Sequence, residues 1–184
     1  MTALPDLTFF RLLADASSKA TLPLFRRLTS IDNKLSEGFD PVTQADKNAE
    51  IALRAVIEQA YPEHGILGEE FGEKTGDGVH QWVIDPIDGT RAFISGLPVW
   101  GTLVGLTVHG RAVAGMMYQP FTDELYVADA NGAWLSHRGG TPQPLQCRQT
   151  ALADATLFTT SPALHTGAQA ARYGALEAQV KLPR

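Results

Sequence analysis

The chain has 184 residues, 44% of them hydrophobic and 19% charged, with a formal net charge of −5. That length fits one domain and supplies enough apolar side chain for a core, which excludes wholesale disorder. The 17 glycines and 11 prolines predict many turns without low complexity, and the acidic balance argues against a nucleic-acid partner.

The single cysteine, Cys147, cannot close an internal disulfide, and no Cys/His set stands at zinc-ligand spacing, so the expected compartment is the cytoplasm. No basic region followed by an apolar run opens the chain, and no window is long and apolar enough to span a bilayer. Neither export nor membrane insertion is expected.

Taken in order, Leu7, Phe10, Leu13, Ala14, Leu24, Phe25 and Leu28 have helical spacing that Pro23 interrupts, predicting one kinked helix or two short ones between Leu4 and Leu28. After the polar stretch Ser30 to Asp40, the residues Ala49, Leu53, Val56, Ile57 and Ala60 predict a second helix, capped by Thr43 and ending before Tyr61-Pro62. Gly65 to Gly68 is a short apolar run followed by Glu69-Glu70, Gly72 to Gly78 reads as a flexible loop, and Gln81 to Asp85 as a strand. Four further strands follow at Gly101–Val108, Ala112–Tyr118, Glu124–Asp129 and Ala133–Ser136, joined by turns at His109-Gly110, Gln119-Pro120 and Asn131-Gly132. Ala155 to Thr159 is another strand candidate and Ala168 to Leu176 a helix candidate. Two helices followed by a largely antiparallel sheet predict an α+β layered fold in a single domain over residues 1–184.

Acid is concentrated in one region: Asp40 to Asp88 holds eleven carboxylates against Lys47, Arg54 and Lys74. Within it, Trp82-Val-Ile-Asp-Pro-Ile-Asp-Gly-Thr-Arg91 ends a strand in Asp85 and places Asp88 three residues later, beside Gly89-Thr90. Hard cations such as Mg²⁺ take carboxylate, carbonyl and water oxygens, and such a turn can also present the Ile87 carbonyl. Gly89 lets backbone amides approach an anion, and a helix beginning at Thr90 would add partial positive charge. Asp-Pro and Asp-Gly are also frequent turn formers, and such a segment alone is more often a structural loop than a metal site. Two more acidic ends, Gly65-Ile-Leu-Gly-Glu-Glu70 and Thr43-Gln-Ala-Asp46, favour the metal reading. The histidines His64, His80, His109, His137 and His165 are scattered and are expected on the surface or in loops, while Trp82, Trp100 and Trp134 are expected in or near the core.

The segments Asp40-Pro-Val-Thr-Gln-Ala-Asp46, Gly68-Glu-Glu70 and Trp82-Val-Ile-Asp-Pro-Ile-Asp-Gly-Thr90 resemble the inositol monophosphatase family of magnesium-dependent phosphatases, in the family's order and approximate spacing. The resemblance implies a layered αβαβα sandwich and a Mg²⁺-dependent phosphate monoester hydrolase that acts on a small molecule, usually as a homodimer. It further implies that Glu69 is a metal ligand that orients the attacking water, that Asp85 bridges two metals, and that the Ile87 carbonyl and Asp88 complete the set. Thr90 would assist Glu69, Asp46 would act through the water network or a third metal, and the Gly89 and Thr90 amides would hold phosphate oxygens.

The stretch Arg91-Ala-Phe-Ile-Ser-Gly96 with Trp100-Gly-Thr-Leu103 is most like the histidinol-phosphate phosphatase branch, which implies L-histidinol phosphate as substrate and histidine biosynthesis as its setting. Inositol 1-phosphate is the alternative substrate. Arg91 reads equally as a charge near substrate and as a surface residue. Family members carry a further metal-binding aspartate, in a W-D-x-A-type segment, near the start of their last third. Here Trp134 is followed by Leu135 and Ser136, so the expectation is a C-terminally truncated chain that keeps the first two-thirds of the sandwich. An inactive fragment serving as a dimerisation or binding module is the reading from another class.

Overall fold

The structure is a computed structural model that describes residues 4–27, 32–33 and 41–183. Helix α1 spans Leu7–Thr21, and its start is set by Asp6, whose carboxylate accepts from the Phe9 amide at 2.9 Å. It stops before Pro23, which has no amide to continue the ladder, and the chain turns there instead of kinking. Leu28 and most of the polar stretch Ser30 to Asp40 lie outside the described residues. Within that stretch the two-residue strand β1 (Asp32–Asn33) pairs antiparallel with β2 (Pro41–Val42).

Helix α2 (Gln44–Ala60) begins as the cap at Thr43 predicts. The Thr43 hydroxyl accepts from the Ala45 amide at 3.1 Å, and the Asp46 carboxylate accepts from the Thr43 amide at 2.8 Å and the Thr43 hydroxyl at 2.6 Å. Its buried stripe is Ala45, Asp46, Ala49, Glu50, Leu53 and Ile57. Two acids therefore ride on the face that packs inward.

One eight-stranded sheet follows: β3 (Gly65–Gly68), β4 (Gly72–Lys74), β5 (His80–Asp88), β6 (Gly101–Val108), β7 (Arg111–Gln119), β8 (Glu124–Asp129), β9 (Gly132–His137) and β10 (Gln143–Pro144). The spatial order is β10-β9-β8-β7-β6-β5-β3-β4. β3 and β5 run parallel, and the other neighbours pair antiparallel. A short helix α3 (Thr90–Ile94) connects β5 to β6. Helices α1 and α2 cover one face through Phe10, Leu13, Leu53 and Ile57, packed on Trp82 and Leu106. On the other face Leu67, Val83 and Met117 stay 41%, 41% and 38% exposed.

Residues Met1–Leu145 form one compact unit and Gln146–Arg184 a second. In the second, β11 (Thr156–Leu157) pairs in parallel with β12 (Leu182–Pro183), and helix α4 (Gly167–Glu177) lies between them in sequence.

The α+β expectation holds, and helices against a mixed sheet are the observed architecture. Three local expectations change. The Gly72 to Gly78 loop begins as edge strand β4, because Gly72, Glu73 and Lys74 pair with Gly68, Leu67 and Ile66. β5 does not stop at Asp85 but continues past Pro86 to Asp88. The strand expected over Ala155 to Thr159 contracts to two residues. Trp82 and Trp100 are buried in the core, and Trp134 is half-buried on β9.

Candidate active site

The parallel register brings the first two acids together. Gly65 to Gly68 pair with Gln81 to Ile84, and the Glu69 amide donates to the Ile84 carbonyl at 3.2 Å, so Glu69 leaves β3 alongside Asp85. Asp85 points to the face opposite the helices, as alternation from the buried Trp82 and Ile84 requires.

Asp88 reaches the same face only because β5 is irregular. Asp85 lies opposite Leu103 and Asp88 opposite Gly101, so three steps on β5 match two on β6. In an unbroken strand residues three apart point to opposite faces, and one extra residue restores them to one. Pro86 and Ile87 both turn inward, and Ile87 joins Phe25, Ala45, Phe93 and Trp100 in a second small core under the turn. Proline, with no amide for the ladder, is at home in a bulge. The Pro86 carbonyl accepts from the Thr102 hydroxyl at 2.8 Å. Because that bond uses Thr102's only proton, the hydrogen bond between Ser17 and Thr102 must be donated by Ser17 of α1.

Beyond the bulge the chain turns through Gly89, whose φ of 90° lies in the left-handed region; a Cβ there would stand 3.1 Å from the Val99 carbonyl. The Ala92 and Phe93 amides donate back to the Gly89 carbonyl at 2.8 and 3.0 Å, which winds the first turn of α3. The Thr90 hydroxyl donates to the Ile87 carbonyl at 3.1 Å. Arg91 is exposed on that same turn.

The electrostatics centre on Asp85. Burial pushes its carboxyl up to about 7, reinforced by the charges of Glu69 and Asp88, a hydrogen bond with Glu69, and the charge of Asp46. Its Oδ1 is buried and has no hydrogen-bond donor. An orphaned carboxylate oxygen ringed by other carboxylates is what a hard divalent cation satisfies, supplying the missing partner and offsetting the repulsion. Asp46 is 2% exposed and accepts from the amide and hydroxyl of Thr43, the cap of α2.

Asp85 thus lies within electrostatic reach of Glu69, Asp88 and Asp46, with the Ile87 carbonyl, Gly89 and Thr90 on the adjoining turn and Arg91 exposed at the start of α3. Two supporting side chains escaped the sequence reading. Thr102 carries no local signal, whereas Glu50 was visible in the spacing Asp46, Ala49, Glu50, Leu53, Ile57, which puts both acids on the apolar stripe.

His109, His137 and His165 lie on the surface or in loops as expected, whereas His64 and His80 are drawn together. His64 is 5% exposed and His80 lies on β5; their rings stack 4.3 Å apart, 6° from parallel. With Asp77 they bring possible ligand atoms within 4.8 Å of one another. The hydrogen bonding closes this cluster to a metal. The Trp82 indole donates to His64 Nδ1 at 3.1 Å, which leaves the neutral ring's proton on Nε2, and Asp77 pairs with His80 Nδ1 at 2.7 Å. His80 begins β5, so this cluster sits at the opposite end of the strand from the Asp85–Asp88 bulge.

Among the described residues no helix is long and apolar enough to cross a membrane. The profile of the inositol monophosphatase family matches residues 7–182. The chain is 38% identical over 175 residues to the chloroplastic bifunctional phosphatase IMPL2 of Arabidopsis thaliana, covering 93% of this chain and 49% of that protein. It is 38% identical over 157 residues to a histidinol-phosphatase of Chlorobaculum parvum, and 37% over 160 residues to an inositol-1-monophosphatase of Rhizobium meliloti, in each case over 84% of this chain and 59% of the relative. The chain therefore spans about half to three-fifths of these curated relatives. Among solved structures, an inositol monophosphatase from Zymomonas mobilis matches with a TM-score of 0.77 at 36% identity, over 96% of this chain and 66% of that one. The extragenic suppressor protein suhB of Bartonella henselae matches with a TM-score of 0.78 at 27% identity, over 96% and 69%.

Proposed function

The chain belongs to the inositol monophosphatase family, and from that premise we propose that it serves Mg²⁺-dependent hydrolysis of a phosphate monoester, with L-histidinol phosphate as substrate. The observation that carries this reading is the buried, unpartnered Asp85 Oδ1 among Glu69, Asp88 and Asp46. Glu69, Asp85, the Ile87 carbonyl and Asp88 would hold the cation. When bound, Mg²⁺ lowers the pKa of the nucleophilic water, neutralises phosphoryl oxygens and stabilises the departing alkoxide.

The protein's own residues do the rest. Glu69 and Thr90 orient the water and Glu69 accepts its proton, with Asp46 connected through the same water network. The Thr90 hydroxyl, held on the Ile87 carbonyl, stays within the turn that faces the phosphate. Gly89 and Thr90 present backbone amides to phosphate oxygens, and the left-handed Gly89 keeps that approach clear of a side chain. The water oxygen would bond to phosphorus in line with the ester oxygen as the phosphorus–ester oxygen bond breaks, and the departing alkoxide would take a proton from solvent.

The likeness of the segment Arg91 to Gly96 to the histidinol-phosphate phosphatase branch supports histidinol phosphate, with Arg91 as a charge near the substrate. Relatives named for histidinol phosphate and for inositol 1-phosphate match at 38% and 37%, which keeps inositol 1-phosphate as the second substrate reading. We place the protein in the cytoplasm, consistent with one exposed, unpaired cysteine, and as a homodimer on the family resemblance. We read the two compact units as parts of one family domain, because the family profile runs across both.

The test is phosphate release from L-histidinol phosphate and inositol 1-phosphate, with and without Mg²⁺. Magnesium-dependent turnover of histidinol phosphate is the expected result. Preference for inositol phosphate would move the substrate assignment, and Mg²⁺ binding without turnover of either would favour a binding or dimerisation module.

A further inference from the structure

The turn that carries Glu69 is anchored from below by a buried ion pair on α2. Glu50 is wholly buried and Arg54, one helical turn on, is 15% exposed. Glu50 Oε2 accepts from the Glu70 amide at 2.7 Å, and Oε1 accepts from the Phe71 amide at 3.2 Å and from Arg54 Nε at 2.8 Å. Arg54 Nη2 in turn donates to the Gly72 carbonyl. The Glu69 amide is taken by the Ile84 carbonyl, so the backbone donors of three successive residues and the next acceptor are all assigned. Gly68 completes the arrangement, since a Cβ there would fall 1.8 Å from Glu50 Oε1.

An ion pair taken out of water gains little net stability over apolar packing of the same shape. What this pair supplies that apolar residues cannot is a rigid set of acceptors and donors for one turn. We propose that Glu50 is a positioning residue of the metal site: by holding the Glu70 and Phe71 amides, it fixes the turn so that the Glu69 carboxylate is delivered beside Asp85. The inference rests on the reading of Glu69 and Asp85 as metal ligands. It assigns to α2 a second contribution to the site, one turn beyond Asp46.

Groups that orient ligands in this way typically change metal affinity by about 10–100-fold when altered. Calorimetric titration of the 184-residue chain with Mg²⁺ alone tests this in Glu50→Gln, with Asp85→Asn and Glu58→Gln alongside. Glu58→Gln makes the same charge change on an exposed part of α2. The expected result is Mg²⁺ affinity about tenfold weaker in Glu50→Gln, lost in Asp85→Asn and unchanged in Glu58→Gln. A purely structural role for Glu50 lowers the melting temperature and leaves the affinity of the folded protein where it was. That outcome, with the parent chain binding Mg²⁺, overturns the inference alone. A parent chain that binds no Mg²⁺ overturns the metal reading, and the inference falls with it.

Should Glu50→Gln fail to fold, hydrogen exchange in the parent chain decides instead. Coupling between turn and site is reciprocal, so saturating Mg²⁺ must slow exchange of the Glu70 and Phe71 amides. Unchanged exchange at both overturns the proposal.

Discussion

Asp85 is where burial and like charge act in the same direction, and both act against ionisation. Removing its charge therefore relieves the metal-free protein while destroying what the cation needs. Asp85→Asn is expected to raise the melting temperature in EDTA and to abolish the rise that Mg²⁺ produces in the parent chain; scanning calorimetry with and without the metal reads both. A variant that melts lower in EDTA would show that the carboxylate is satisfied by partners other than a cation. Gly89 is constrained differently, by a φ of 90° and by the Val99 carbonyl beside its missing Cβ. Left-handed backbone at an alanine costs about 1–2 kcal/mol, so Gly89→Ala should lose at least that in urea unfolding. No change would mean that the turn readily adopts another path.

At the scale of elements, the bulge in β5 is held from outside the strand. Thr102 on β6 fixes the Pro86 carbonyl, and Ser17 on α1 donates to Thr102, so a helix, a bulge and a neighbouring strand share one short polar chain. Thr102→Val keeps the shape, deletes the donor to Pro86 and strands the Ser17 proton; leaving buried polar groups unpaired costs about 1–3 kcal/mol. Chemical denaturation should show that loss, and Thr102→Ser should recover most of it. Equal stability of the Val and Ser variants would remove this chain from the account of the bulge. The second small core, Phe25, Ala45, Ile87, Phe93 and Trp100, supports the same turn from below, with the Phe93 and Trp100 rings edge to face at 4.7 Å.

For the whole molecule, the far end of β5 sets an acid limit on stability. Burial, and then His80, lowers the His64 pKa below its ordinary 6.5, while Asp77 opposes them. Between the folded and unfolded values the unfolded chain binds the extra proton, so this contribution is present above pH 6.5 and is lost as pH falls through the folded pKa. His64→Asn keeps an acceptor for the Trp82 indole and cannot titrate. Its unfolding free energy is expected to depend less steeply on pH below 6.5 than that of the parent chain. Parallel slopes, measured by denaturation from pH 7.5 to about 4.5, would show that His64 titrates normally.

Much of this protein was legible in its sequence wherever the hydrogen bonds close over short distances. The Thr43 cap and apolar stripe define α2, and the turn residues after Asp85 define the hairpins from β6 to β9. The resemblance carried by Asp46, Glu69, Asp85, Asp88 and Thr90 pointed to the segments that the fold draws together. Tertiary structure alone decided which way those side chains face. Asp85 and Asp88, three apart, share a face because β5 bulges against β6; Glu69 meets Asp85 because β3 and β5 are parallel in one particular register. The His64–His80 stack and the clamp at Glu50 likewise depend on partners farther along the chain. Side-chain direction in a strand is set by pairing with its neighbour, and the neighbour's identity is not encoded in the strand itself.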